Sequence, residues 1–385
     1  MKLKQRPEDF VVEELDALSL GGGRFSIYRL SKRGLGTIEA AAHIAREFGV
    51  ARTSVGFGGL KDRWAETHQK ISIENGPERN LKTEKLDLVF LGRAKSPVAR
   101  AGFDRNRFVI TIRDLWEGDL RHMNKALEEI RTDGVPNYFD SQRFGSAKGA
   151  DDFIAKRLVL RDFEGALKLA IATPTEDDRS AVRKTKAALR KHWGRWDECL
   201  KALPPKSVEA RIVKKAAQGA WGAAFETIDR SLRLLYASAY QSYLWNQVLE
   251  RLLRKHVMPS QLFKKTYAQG RLWFYRRLPA KQRERFFGLT IKLARRGVIF
   301  ADPEVEEASR DVVKAEGFSM DELKIRGLAS TYFGRGRRSA VVIPSALSAG
   351  EAEPDELNAK RLKVKLSFEL PKGSYATILI KRIFH

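Results

Sequence analysis

The stretch Val364-Lys365-Leu366-Ser367-Phe368-Glu369-Leu370-Pro371, close to the C-terminus, alternates apolar and polar side chains with the period of a β-strand. Pro371, Lys372 and Gly373 then form a turn. A strand needs a sheet, and the last ~50 residues are too few to make a comfortable domain alone. Matching β signals lie at the other end of the chain. Phe108, Ile110 and Ile112 alternate within Arg107 to Arg113; Gln69, Ile71 and Ile73 share a face; Leu86 to Leu91 adds another strand. Val11 and Val12, after Pro7, read as an edge strand. Ile38, Ala41, Ala42, Ala45 and Phe48 recur at helical spacing, with Thr37 placed to cap the helix and Gly49 to end it; Asp119 to Thr132 is also helical. From about Ala150 to Ala329 the texture is helical, with Phe225 to Leu253 its longest apolar-periodic stretch. Tyr375 to Ile380 fits helix or strand equally. This order predicts an α/β (α+β) domain built from residues 1–149 and 330–385, interrupted by a mainly helical domain over 150–329. Three separate modules are the alternative.

The chain has 385 residues, enough for two or three domains with ample cores. Cys199 is its one cysteine, which excludes intrachain disulfides and cysteine-built zinc sites. The run Leu234 to Leu249 is uncharged but too short and too polar to span a bilayer, and the N-terminus lacks a signal-peptide pattern. A soluble, cytoplasmic protein, monomeric and without a membrane partner, is expected. Lys and Arg number 72 against 48 Asp and Glu, a net charge of +24. The excess is concentrated: residues 251–300 hold 14 bases and one acid, Glu284, and residues 181–220 hold 11 bases and three acids. Residues 301–330 reverse the sign, with eight acids and four bases. Blocks of one sign produce a directed field, and phosphate backbones are the commonest polyanion it serves. Tyr267, Trp273, Phe274, Tyr275, Phe286 and Phe287 lie inside the basic block, where they serve a core or stack on unpaired bases. RNA or DNA is the expected partner.

Several chemistries lose their signatures. The histidines at 43, 68, 122, 192, 256 and 385 do not pair at metal-ligand spacing, no Walker loop follows Gly56 to Gly59, and no serine nucleophile elbow is present. What remains is a charged glycine turn, Gly58-Gly59-Leu60-Lys61-Asp62-Arg63, followed by Ala65, Thr67 and Gln69. Flanking cations hold such an aspartate ionised, and the glycines let backbone approach a ligand. Taken alone, the triplet is also an ordinary solvated turn. A second segment, Gly134 to Gly145, collects Asn137, Tyr138, Phe139, Gln142, Arg143 and Phe144; alone it also fits a packed corner closing a domain.

Together these segments resemble the TruD family of tRNA pseudouridine synthases. The matching pieces are Lys4 with Pro7-Glu8-Asp9-Phe10 and Val12-Glu13; Gly59 to Arg63 with Ala65, Thr67 and Gln69; Asn106 with Phe108; Asn137-Tyr138-Phe139 with Gln142-Arg143-Phe144-Gly145; Ser238 to Ser242 with Leu244 and Asn246; and Leu370-Pro371 with Gly373 to Thr377. They occur in the family's order. The resemblance implies a pseudouridine-synthase domain with a mixed, mostly antiparallel sheet, interrupted by a TRUD insertion domain. It implies isomerisation of uridine to pseudouridine, typically at position 13 of tRNA, without cofactor or metal.

By the same resemblance Asp62 is the catalytic carboxylate, paired with Lys4, which keeps it anionic. Phe139 stacks on the target uracil and Asn137 hydrogen-bonds near the catalytic aspartate, with Gln142 and Arg143 as further substrate contacts. Asp140 stands where the family usually has Gly and adds a negative charge near the base pocket. Arg276, Arg277, Arg295 and Arg296 are the RNA-binding residues expected from the basic block. The rivals are a non-catalytic RNA-binding or RNA-folding protein and, less well supported, a metal-dependent nuclease, which would need paired carboxylates.

Overall fold

The strand near the C-terminus pairs antiparallel with the one around residue 110, placing Leu366 opposite Ile110 and Phe368 opposite Phe108. This is a computed structural model that describes residues 1–15, 18–101, 104–147, 152–175, 178 and 180–384. The chain forms two compact units, Met1–Gly134 with Val342–His385, and Val135–Val341.

In the first unit the longer strands are β1 (Phe10–Leu15), β2 (Phe25–Arg33), β3 (Glu66–Glu74), β4 (Leu86–Ala94), β5 (Arg105–Leu115), β6 (Ser345–Ala349) and β7 (Leu362–Pro371). They lie in one mixed sheet in the order β6-β7-β5-β1-β3-β2-β4, and among these strands only the β1–β3 pairing is parallel. β1, expected at an edge, is interior to the sheet, because both of its backbone edges are taken by β5 and β3. Side chains alternate across the pleat, so Phe10 and Val12 face the core and Phe108 lies between Phe10 and Phe368, 6.2 and 5.4 Å away by ring centroids. Helix α1 (Thr37–Phe48) buries Ala40, Ala41, Ile44 and Ala45 against Tyr28, Leu30, Ile71 and Ile73. It ends at Gly49, whose φ of 66° is the left-handed geometry that glycine adopts without strain. Its N-cap is Gly36; Thr37, expected in that place, is the first helical residue, and its hydroxyl is used elsewhere. Helix α2 (Glu117–Asp133) packs on the C-terminal helix Ala376–Ile383, where the buried Arg382 donates to Glu129 at 2.6 Å.

The second unit is organised on α3 (Arg230–His256), 27 residues long. Asp229 caps it by accepting from the Ser231 N–H at 2.8 Å, and Arg254, Lys255 and His256 complement the dipole at its other end. Its buried face includes Ala237, Tyr240, Leu244, Trp245, Val248 and Leu252. Helix α4 (Pro303–Ala315) packs along it. The region is not helical throughout: Leu262–Tyr267 and Gly270–Tyr275 form an antiparallel hairpin inside the basic block.

The boundaries expected at 149/150 and 329/330 both fall inside this second unit. Asn246 on α3 accepts from the Phe139 N–H at 2.9 Å and donates to the Phe139 carbonyl at 2.8 Å. Gln241 accepts from the Gly334 N–H, and the Asn137 N–H donates to Ala340 at 2.8 Å. Hydrogen bonds to α3 thus draw residues 135–145 and the stretch before Val341 into the second unit.

Both ends of the first unit converge on Arg113. Its guanidinium, on β5 and 5% exposed, meets Asp9 and Asp355, each at 2.9 Å. Burial alone would raise the Asp355 carboxyl. The Asp114 N–H, the Asn358 amide, the Leu357 N–H and Arg113 outweigh it and hold the group well below the usual carboxylate range. Arg113→Met would strand two buried carboxylates and should cost the first unit about 3–5 kcal/mol. Urea unfolding followed by a fluorophore confined to that unit measures it.

Candidate active site

The glycine turn before Asp62 is held at three points. The Thr37 hydroxyl accepts from the Lys61 N–H at 2.9 Å and donates to Gln69 Oε1 at 3.3 Å; Gln69 Nε2 donates to the Gly59 carbonyl at 3.3 Å. Arg63 pairs with Glu39 on α1. Start of helix, turn and β3 are thereby tied together, and the Asp62 carboxylate stands about one-quarter exposed at the top. One of its oxygens meets Lys4 Nζ, while the other accepts from the Trp64 N–H at 3.1 Å. Burial pushes the Asp62 carboxyl up, but the Lys4 hydrogen bond and charge, the Trp64 N–H and the charge of Lys32 together hold it below its ordinary value. The group is an anion at neutral pH, partly desolvated and reachable.

Lys4 is positioned by chain geometry as well as by charge. Lys2 bridges to Arg113 through two backbone hydrogen bonds, 2.8 and 3.0 Å. On its other side, the Pro7-Glu8-Asp9 turn is fastened by Asp9, which accepts from the Arg6 N–H and from Arg113. Between these anchors Lys4 takes a left-handed φ of 56°, unusual for a residue with a Cβ. Its ammonium also lies 4.2 Å from the Phe10 ring centroid.

Two further lysines lie behind the turn. Lys61 Nζ reaches Glu14 Oε1 at 2.6 Å and Asn106 Oδ1 at 3.2 Å; burial pushes its pKa down against the opposing charge of Glu14. Lys32 Nζ donates to the carbonyls of Leu35 and Asp62. Neither Lys32 nor Glu14 is among the residues expected from sequence. Both occupy the inward phase of their strands, Lys32 with Leu30 and Glu14 with Phe10 and Val12. A charged residue in the apolar phase of a strand is the signal that finds them.

Asn137, Phe139 and Arg143 come together within the second unit. Asn137 Nδ2 donates to the Ser339 carbonyl at 3.1 Å and Asn137 Oδ1 accepts from Arg338 at 2.6 Å. Arg338 also donates to the carbonyls of Asn137 and Tyr138, and its guanidinium lies 4.3 Å from the Phe139 ring centroid. Trp245 meets that ring edge-on at 5.6 Å. Arg143 is held by Ser238 and Ser242, whereas Gln142 is exposed. Asp140 is 2% exposed and accepts from the Ser141 N–H at 2.7 Å, so its carboxylate supports the turn it begins. Arg338 is not expected from sequence; its neighbours Arg335 and Arg337 hide it in a basic run, where only its partners distinguish a clamp from a solvated charge.

In the basic block, acids after residue 301 take particular partners. Asp311 pairs with Arg251 at 2.8 Å, Glu304 and Glu307 with Lys255 at 3.2 and 3.3 Å, and Asp302 and Glu304 with Arg285. Arg276, Arg277 and Arg296 are exposed and Arg295 half-buried, its guanidinium donating to the Arg296 carbonyl. Among the described residues no group of His, Cys, Asp and Glu could hold a metal ion, and no helix is long and apolar enough to cross a membrane.

Comparison with known proteins gives one consistent result. The family model for tRNA pseudouridine synthase D (TruD) matches residues 1–383. The "Probable tRNA pseudouridine synthase D 2" of Methanocaldococcus jannaschii is 35% identical, over all of this chain and 92% of its own. The tRNA pseudouridine synthase D of Aquifex aeolicus is 30% identical, over all of this chain and 98% of its own. A crystal structure of a Methanosarcina mazei protein assigned as tRNA pseudouridine synthase D superimposes with a TM-score of 0.74 at 26% identity, covering all of this chain and 93% of the other.

Lys4→Met removes the strongest of the influences that hold the Asp62 carboxyl down and leaves the opposing burial in place. The Asp62 pKa should therefore rise, and a carboxylate-detected NMR titration of the variant against wild type checks the direction. An unchanged titration would mean that Lys4 does not govern the charge of Asp62.

Proposed function

Because the chain belongs to the TruD family of tRNA pseudouridine synthases, we propose that it acts on uridine 13 of tRNA with Asp62 as the catalytic carboxylate. The reaction itself, conversion of uridine to pseudouridine in tRNA, is an isomerisation. The bond from uracil N1 to C1′ breaks, the base turns, and C5 bonds to C1′; C5 gives up a proton and N1 gains one. Every atom is conserved, so the balance requires no cofactor or metal. A monomer acting in the cytoplasm, where tRNA is at hand, is the corresponding assembly and compartment.

The observation that carries this reading is the Lys4–Asp62 pair on the glycine turn. Attack at C1′, addition to the uracil ring and abstraction of a sugar proton all require the carboxylate as an anion, and Lys4 with the Trp64 N–H supplies that state. The target base must leave its stack to reach any side chain, so an aromatic platform is needed. Phe139 serves as that platform, sharing its ring with Arg338, while Asn137 and Arg143 fix the surrounding loop and Gln142 offers an exposed amide to RNA.

Asp62→Asn keeps shape and loses the anion. It should abolish pseudouridine formation in a single-turnover assay while leaving tRNA affinity within about two-fold, since Asp62 makes no phosphate contact in this scheme. Near-normal turnover would refute the role of Asp62. Wild-type protein that binds tRNA without modifying it would return the chain to the RNA-binding reading. Pseudouridine mapping of tRNA from cells with and without the gene identifies the position.

Arg276, Arg277, Arg295 and Arg296 are proposed to hold tRNA phosphates. Replacing all four with Gln should weaken binding and flatten the salt dependence by about 0.7–0.9 log units per log unit for each phosphate no longer neutralised. Chemistry on bound tRNA should stay within about two-fold. An unchanged salt slope would place the RNA surface elsewhere.

A further inference from the structure

Lys32 has no part in the scheme above, yet it lies directly behind the reacting group. It is 2% exposed, at the inward phase near the end of β2. A buried ammonium ordinarily finds a carboxylate, because desolvating the charge is otherwise costly. Here Nζ instead donates to two backbone carbonyls, that of Leu35 at 2.6 Å and that of Asp62 itself at 3.0 Å. The first precedes α1 and the second belongs to the turn, so one side chain spans the strand end, the helix start and the catalytic residue.

We propose that Lys32 is a positioning residue for the isomerisation, clamping the Asp62 backbone from the buried side and adding a positive charge behind its carboxylate. The inference rests on the reading of Asp62 as catalytic. Fixing the Asp62 carbonyl restricts the adjoining backbone, and hence the arc through which the carboxylate can swing. Misplacing a reacting group by about 1 Å can cost about 10²-fold in rate. The charge of Lys32 is also among the influences that hold the Asp62 carboxyl down. The division of labour follows: Lys4 engages the carboxylate from the accessible side, and Lys32 holds its backbone from within.

The clamp has a signature that a merely structural residue lacks. Burial pushes the Lys32 pKa down to about 8; the charges of Asp62 and Glu39 oppose this, and those of Lys61 and Arg63 add to it. The ammonium is therefore intact at neutral pH and is lost as pH rises through about 8, so the rate should fall on the alkaline side.

The test is the single-turnover rate on unmodified tRNA transcript between about pH 6 and 9, for wild type, Lys32→Gln, Lys32→Met and Lys32→Arg. Circular dichroism and tRNA affinity are measured alongside. Wild type should lose rate above about pH 8. Folded Lys32→Gln and Lys32→Met should bind tRNA normally, react about 10- to 100-fold more slowly, and show no such alkaline fall. Lys32→Arg, charged throughout this range, should recover part of the rate without the fall near pH 8. Rates within two-fold of wild type overturn the proposal, as does a loss by the same factor at every pH with the alkaline fall retained. Should no variant fold, the wild-type profile decides, and constancy up to about pH 9 overturns the proposal. Asp62→Asn, run in parallel, separates the failures: an active Asp62→Asn refutes the reading beneath the inference, whereas an inactive one beside unaffected Lys32 variants refutes the inference alone.

Discussion

The Arg113 guanidinium is held by carboxylates from both ends of the chain, Asp9 near the N-terminus and Asp355 near the C-terminus. Such a buried cluster contributes little net stability over an apolar substitute, but removing one member is costly because the others remain charged and dry. Its consequence is positional. Asp9 fastens the turn that follows Lys4, and the backbone bridge from Lys2 to Arg113 fastens the segment before it. Lys4 cannot reach Asp62 from a frayed terminus; it reaches it because β5 anchors that terminus on both sides. The placement of Lys4, and through it the charge of the turn, therefore depends on one interior arginine.

The turn itself balances large opposing influences. Burial pushes the Asp62 carboxyl up, and Lys4 first, then the Trp64 N–H and the charge of Lys32, outweigh it and hold the group below its ordinary value. Lys61, one of the two cations adjacent in sequence, is turned away and committed to Glu14 and Asn106. Proximity along the chain is thus a poor guide to which cation controls the carboxylate. Arg63 is likewise engaged by Glu39. The two cations that flank Asp62 in sequence brace the turn, and the two that lower its pKa come from positions 4 and 32.

The second unit redistributes charge in a similar way. Its basic block is densest in sequence at residues 251–300, yet α4 brings acids against Arg251, Lys255 and Arg285. These pairs are largely solvent-accessible, so they are worth little in stability. They matter by removing positive charge from one side of α3, which gives direction to a field that composition alone makes only strong.

Much is decided by local sequence. Strand phase at Phe108 and Phe368, the helix over residues 37–48 with its left-handed stop at Gly49, and the return of β structure after residue 360 all follow from side-chain periodicity and glycine geometry, which act within a few residues. Alternation cannot say which strands are neighbours, so it puts β1 at an edge when the sheet holds it inside. Helical texture cannot exclude a hairpin, so it passes over Leu262–Tyr275. In the candidate site, motif resemblance names Asp62 and Lys4, but the change of texture near residue 150 puts residues 135–145 in the wrong unit. Only tertiary structure assigns that segment to Asn246 and Gln241, turns Lys61 onto Glu14, and sets Lys32 behind Asp62. Periodicity is a property of neighbours in the chain, whereas hydrogen-bond partners and desolvation depend on groups tens or hundreds of residues away that only folding brings within about 3 Å.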